Sequence, residues 1–245
     1  MIKFNIISTC YNAEPWIAKC IHSVRDQSYE NWNHYVVDDQ STDKTWDILK
    51  ELKGTGNPKL KIGQPSVKAG NLFNQWQILS RFNLEPDSVI VHLDGDDWLH
   101  DKDVLVNLKS IYDSIPDMLV TYGNYITTDS SPSVCNVKPI SETYRDGIVK
   151  GWKYSHLRTY KKFLTNHVKE EDLRDSNGNL FQYAPDVALF LPILEMAAER
   201  VHFCQRINAV YNRHTNLNED KVNLGGQVQA ALEIYRKPSY SRLEI

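Results

Sequence analysis

Along the first half of the chain, short β-branched apolar runs alternate with longer stretches whose apolar residues recur at helical spacing. Residues 4–8 (FNIIS) are apolar and stop at polar Thr9-Cys10-Tyr11-Asn12, which predicts a buried strand ending in a loop. Pro15 suits a first helical turn, and Ile17, Cys20, Ile21 and Val24 mark a helix face as far as Gln27-Ser28. The pattern then repeats: residues 34–39 (HYVVDD) are a strand ending in two acids, followed by a helix carrying Trp46, Leu49 and Leu52. A third strand is predicted near residues 60–62, then a Gly-containing loop at 68–70 and a helix using Ala69, Leu72, Phe73, Trp76 and Leu79. Residues 88–93 are apolar almost throughout, as in a central strand, and break at Asp94-Gly95-Asp96-Asp97. Asp101 is placed to cap a helix with Val104, Leu105, Leu108, Ile111 and Tyr112 on one face, and residues 118–126 form another strand. This alternation predicts an α/β fold, a mostly parallel sheet with helices on both faces, whose ligands sit at the C-terminal strand edges.

Beyond it the periodicity weakens. Residues 127–151 are polar and contain Pro, which reads as a long loop forming a binding lid or wall. A helix over 154–168, a turn at RDSNGN, an apolar helix over 187–198 started or kinked at Pro192, a strand over 201–214 and an amphipathic helix over 226–235 complete the chain.

Composition narrows the classes. The 245 residues carry 28 Lys+Arg against 31 Asp+Glu, a formal charge of -3, with 41% hydrophobic residues. Mean hydropathy is -0.48, which predicts a globular chain able to bury a core without disulfide or metal staples. Near-balanced charge without a long basic run argues against nucleic acid as a partner. No segment approaches the roughly 18 apolar residues of a membrane span, and the N-terminus does not read as a signal peptide. Peripheral membrane association stays open. Cys10, Cys20, Cys135 and Cys204 lack C-x-x-C spacing, so buried reduced thiols and a cytoplasmic setting are expected.

The chain has no G-x-G-x-x-G, no G-x-x-x-x-G-K-[ST] and no H-E-x-x-H, which argues against dehydrogenase, P-loop and zincin chemistry. What remains is a set of acids at strand ends: Asp38 and Asp39, then Asp94, Asp96 and Asp97. Carboxylates two apart in a tight loop, with Gly95 easing the bend, can converge on one Mg²⁺ or Mn²⁺ whose shell is completed by water and phosphate oxygens. The alternative is a polar turn with a helix cap. An EF-hand fits poorly, because Trp98 occupies a ligand position and no Glu closes the loop.

Taken together, Thr9-Cys10-Tyr11-Asn12, Gln27-Ser28-Tyr29, Asp38-Asp39-Gln40-Ser41-Thr42-Asp43 and Leu93-Asp94-Gly95-Asp96-Asp97 resemble, in order and spacing, the motifs of family 2 glycosyltransferases of the GT-A fold. The resemblance covers about the first 125 residues and thins afterwards. It implies a nucleotide-diphospho-sugar donor, a divalent metal (Mn²⁺ or Mg²⁺) and inverting transfer to a hydroxyl on a glycan, lipid-linked or protein acceptor. It also implies one GT-A domain over 1–245, with a nucleotide-sugar-binding half at 1–126 and an acceptor and catalytic-base half at 127–245.

By similarity, Thr9 and Tyr11 hold the nucleobase, Asp39 accepts from base or ribose, and Gly70 and Asn74 belong to a loop and helix start approaching the nucleotide. Tyr11 also reads as a half-buried loop aromatic and Asp38 as a structural strand-end acid. Lys68 is either a cation for the diphosphate or a solvated lysine. Asp94 then touches ribose and metal, and Asp96 is the main metal ligand. For the base, Tyr183-Ala184-Pro185-Asp186-Val187 is the nearest match, although Pro185 stands where the family often has an acid. Asp186 is therefore read as base or as helix N-cap, with Asp172, Asp175 and Glu195 as fallbacks. His214, in Y-N-R-H, resembles the C-terminal histidine that completes the metal or diphosphate site, or is a surface residue. Arg158 and His156 are candidates to face the acceptor or the phosphates. Two rival readings are a GT-A-like module that binds sugar nucleotides or glycans without turnover, and a sugar nucleotidyltransferase. The latter should carry a Gly-rich basic loop after the first strand, which TCYNAEP is not.

Overall fold

The computed structural model describes residues 1–131, 144–146, 151–215, 217 and 219–244. Its first half alternates strand and helix: β1 (Phe4–Cys10), α1 (Ile17–Arg25), β2 (Trp32–Asp38), α2 (Thr45–Gly54), β3 (Leu60–Gly63), α3 (Asn71–Arg81) and β4 (Val89–His92). β5 (Trp98–Leu99), α4 (Val104–Ser114) and β6 (Val120–Thr127) follow. The second half contributes β7 (Arg158–Lys161), α5 (Pro185–Ala197), β8 (Val201–Tyr211), α6 (Glu219–Val222) and α7 (Leu224–Arg236).

The eight strands of the described residues form one sheet in the order β3-β2-β1-β4-β7-β6-β8-β5. β1 to β4 are mutually parallel, as the alternation predicts. β7 inserts antiparallel between β4 and β6. The sheet therefore draws strands from both halves of the chain.

Period-two alternation along the strands sends side chains into two cores. Ile7, Ile90 and Tyr160 pack with α3 and α5 on one face. Phe4, Ile6, Val89 and Val91 pack with α1 and α4 on the other. Every residue of β1 is buried, as expected of a strand covered on both faces.

Two expectations need correction, and one element was not foreseen. Residues 154–168 are not a helix but β7 followed by a 3₁₀ stretch, Lys162–His167. Thr159 and Tyr160 pair with strands on both sides, and a fully buried central position overrides local pattern. Pro192 does not start α5: the helix begins at Pro185, and Pro192 lies inside it. The two-residue β5, directly after the acidic loop, is too short to show as periodicity; it pairs with Val210 and Ala209 of β8. Most of the expected long loop, residues 132–143 and 147–150, lies outside the described residues, as does Cys135. Cys10, Cys20 and Cys204 are buried free thiols. Among the described residues no helix is long and apolar enough to cross a membrane.

Candidate active site

The loops after β1, β2 and β4 meet the start of α5, the start of β7 and the segment after β8 around a cavity of about 470 Å³. Thr9, Tyr11, Asp39, Lys68, Asp94, Asp96 and Asp186 all line it.

On the β1/β2 side the acids divide their work. Asp38 is fully buried and accepts from Ser41 and from Gln64 Nε2 (2.6 Å), so it closes its own loop. Asp43 accepts from the Thr45 amide at 2.9 Å and ties α2 to the first loop through Glu14 N at 3.1 Å. Asp39 points the other way. Its carboxylate accepts from Ala69 N (2.8 Å), Gly70 N (3.0 Å) and Asn74 Nδ2 (2.8 Å), which fixes the entry to α3. Gly70 adopts φ 91 there, a left-handed value that glycine tolerates. Gly70 and Asn74 thus stand behind Asp39 and are not part of the cavity wall. Thr9 Oγ1 donates to Asn71 Oδ1 at 2.8 Å, and Gln75 Nε2 donates to the same oxygen at 2.6 Å. Asn71 and Gln75 line the cavity and were not singled out by sequence. Lys68 Nζ lies 3.2 Å from the centre of the Tyr11 ring, a cation–π contact.

The acidic loop after β4 is clamped against the first loop. Gly95 N donates to the Thr9 carbonyl at 2.9 Å, and a Cβ on Gly95 would come within 2.5 Å of Cys10 Cβ. Glycine is required there for close approach rather than for bend. Asp97 is fully buried; one oxygen accepts from Asn212 N (2.8 Å) and the other, Oδ2, has no hydrogen bond among the described residues. His156 Nε2 lies 3.5 Å from both Asp94 Oδ2 and Asp97 Oδ2. Burial and then the neighbouring Asp94 push Asp96 up to about 7. Burial, Asp96 and Asp94 raise Asp97 further. Burial works against ionisation of Asp94 too, but His156 and Arg158 outweigh it and hold this carboxyl below its usual range.

Ala184 in a left-handed conformation (φ 52) and Pro185 start α5, which makes Asp186 its second residue. Ala184, not Asp186, holds the N-cap position. Arg158 Nη1, on β7, donates to Asp186 Oδ2 at 3.3 Å. The fallback acids are engaged elsewhere. Asp172 accepts from Tyr240 OH (2.6 Å), Asp175 from the amides of Asn177 and Asn179 (2.9 Å each), and Glu195 from Arg145. None of the three lines the cavity.

A profile of Glycosyl transferase family 2 matches residues 5–133, more than half of the chain. The chain belongs to glycosyl transferase family 2. Its curated relatives include glycosyltransferase GlyA of Streptococcus pneumoniae, 25% identical over 74% of this chain and 24% of GlyA. They also include the putative teichuronic acid biosynthesis glycosyltransferase TuaG of Bacillus subtilis, 32% identical over 40% of this chain and 38% of TuaG. The chain thus spans well under half the length of these relatives. Among solved structures, S. aureus TarS in complex with UDP-GlcNAc superposes with a TM-score of 0.66 at 20% identity, covering 87% of this chain and 59% of TarS. Mannosyltransferase PcManGT from Pyrobaculum calidifontis, in complex with GDP-Man and Mn²⁺, gives 0.60 at 16%, covering 85% and 56%. The fold is the α/β GT-A fold of these structures.

The cavity brings together Thr9 and Tyr11, the carboxylates of Asp94 and Asp96, and the Asp186 carboxylate beside Arg158. His214 is the exception. The chain turns after Tyr211, the His214 amide bonds Asn212 Oδ1 at 3.0 Å, and the exposed ring stacks on Trp16 at 6.4 Å. It does not line the cavity, and the histidine standing among the acids is His156.

Proposed function

We propose that this chain moves a sugar from a nucleotide-diphospho-sugar, with uridine as the nucleoside, to an acceptor hydroxyl with inversion, using Mn²⁺ or Mg²⁺. The observation that carries the reading is that a single cavity is lined by Asp94 and Asp96 of the acidic loop and by Asp186 at the start of α5, whose carboxylate accepts from Arg158.

The residues suit a divalent cation. Three carboxylates fall within four residues, Asp96 and Asp97 being pushed toward protonation by burial and by neighbouring acids, and among the described residues Asp97 Oδ2 and His156 Nε2 are buried without a hydrogen bond. Asp94 and Asp96 face the cavity and would hold the ion. Bound there, it would neutralise charge building on the departing diphosphate.

The chain's own groups account for the rest. Thr9 and Tyr11 would seat the base, with Asp39 holding the loop beneath it. A base stacked on the Lys68 side of Tyr11 displaces that ammonium and frees it for the diphosphate. Asp186 would accept the acceptor's proton as its oxygen attacks the anomeric carbon. The bond from that carbon to the diphosphate oxygen breaks on the opposite face, so configuration inverts and nucleoside diphosphate leaves. Arg158 keeps the Asp186 carboxylate oriented.

Thermal-shift ranking with Mn²⁺ present should place UDP above GDP and CDP; a clear preference for GDP overturns the uridine assignment. A second expectation concerns pH. A carboxyl that keeps its proton up to about 7 in the fold opposes stability once ionised, so its contribution falls as pH rises toward and through that value. A cation competes with that proton and relieves the repulsion. Mn²⁺ should therefore raise Tm more at about pH 8 than at about pH 6. An equal or smaller shift at the higher pH contradicts the site.

A further inference from the structure

His156 is 8% exposed, so its ring is fixed by protein rather than by solvent. Its Nδ1 lies 2.8 Å from Ser155 Oγ, the ring stacks on Tyr211 (centroids 4.8 Å, planes 21° apart), and the edge of Tyr125 closes another side at 5.4 Å. These contacts aim Nε2 between Asp94 Oδ2 and Asp97 Oδ2, at 3.5 Å from each. One ligand atom from each of the three residues falls within 4.8 Å of the other two.

That spacing is long for an N–H···O bond, whose usual range ends near ~3.2 Å. It matches a coordination shell better. Two ligands each about 2.1 Å from one cation, at angles between octahedral and tetrahedral, stand roughly 3.0–3.5 Å apart. Asp97 is built the same way as His156, with one oxygen anchored on the Asn212 amide and the other buried without a hydrogen bond. The Ser155 contact at the far ring nitrogen is the kind of support that metal-bound imidazoles carry.

We propose that His156 is the imidazole ligand of the cation that Asp94 and Asp96 hold from the cavity, with Asp97 beside it in the same shell, and that His214 has no part in that shell. This rests on the reading of the cavity as a cation-dependent donor site and assigns that site's nitrogen ligand. His92, which also lines the cavity, has its Nε2 taken by Tyr160 OH at 2.8 Å.

The test is electron spin-echo spectroscopy of Mn²⁺ bound to the full chain with UDP, read for modulation by a coordinated imidazole nitrogen, together with Mn²⁺ affinity. Wild type and His214→Ala should both show the modulation. His156→Gln should lose it and bind Mn²⁺ at least about 10-fold more weakly, and Asp97→Asn should weaken binding to a similar degree. Modulation that survives in His156→Gln, or disappears in His214→Ala, overturns the assignment. Should His156→Gln fail to fold, the wild-type spectrum still decides against the proposal if Mn²⁺ is bound without nitrogen modulation. That outcome leaves the cation-dependent donor site standing, whereas absence of Mn²⁺ binding in the presence of UDP removes both.

Discussion

Asp96→Ala is expected to weaken Mn²⁺-dependent UDP binding by about 10²-fold or more and to remove turnover, while leaving the fold intact. The asymmetry follows from its surroundings. Asp96 lines the cavity, and it is raised to about 7 by burial and the adjacent Asp94, so in the absence of a cation its charge opposes the fold. Removing it relieves that repulsion. The metal-free variant should melt at or above the wild-type temperature even though it has lost the ligand. Asp38, by contrast, is fully buried and accepts from Gln64 and Ser41, so its loss leaves partly buried donors unpaired and should lower Tm. Calorimetry with UDP and Mn²⁺, alongside melting curves of both variants, separates a functional carboxylate from a structural one. Unchanged UDP affinity in Asp96→Ala sinks the metal assignment.

Asp186→Asn should lower kcat by roughly 10²- to 10⁴-fold and leave UDP affinity and Tm near wild type. Water can serve as acceptor in this measurement, since its attack needs the same proton removal. The amide oxygen of Asn can still accept from Arg158, and the N-cap of α5 is Ala184, so neither the ion-pair partner nor the cap is left orphaned. An effect on turnover therefore reports proton transfer. Full activity in this variant would mean that the base is another group, although Asp172, Asp175 and Glu195 are each bound to other parts of the protein outside the cavity.

The parts of this site that could be read from sequence were those fixed by local rules. Residues 88–93 are apolar enough to be a central strand, and polar residues directly after such a strand must emerge at the sheet edge, where Asp94 and Asp96 are found. The Pro-Asp start of α5 is equally local. Roles set by pairing between distant segments were not readable. Asp38 and Asp39 are neighbours, yet one faces its own loop and the other the entry to α3. His156 reaches the acids only because β7 inserts between β4 and β6, a register that the four residues RTYK do not announce. Gly95 looked like a bend residue, but it is held by the proximity of Cys10 on another strand. His214 kept the local Y-N-R-H context of a ligand and is nonetheless carried out onto Trp16 by the turn after β8.

The most direct test of the account is release of nucleoside diphosphate from a panel of UDP-, GDP- and CDP-sugars by the wild-type chain, with and without Mn²⁺ and without added acceptor. The account predicts slow, Mn²⁺-dependent release of UDP from at least one UDP-sugar, absent in Asp96→Ala and strongly reduced in Asp186→Asn. Release that proceeds equally in both variants, or no release from any sugar nucleotide by a chain that also fails to bind UDP with Mn²⁺, would contradict it.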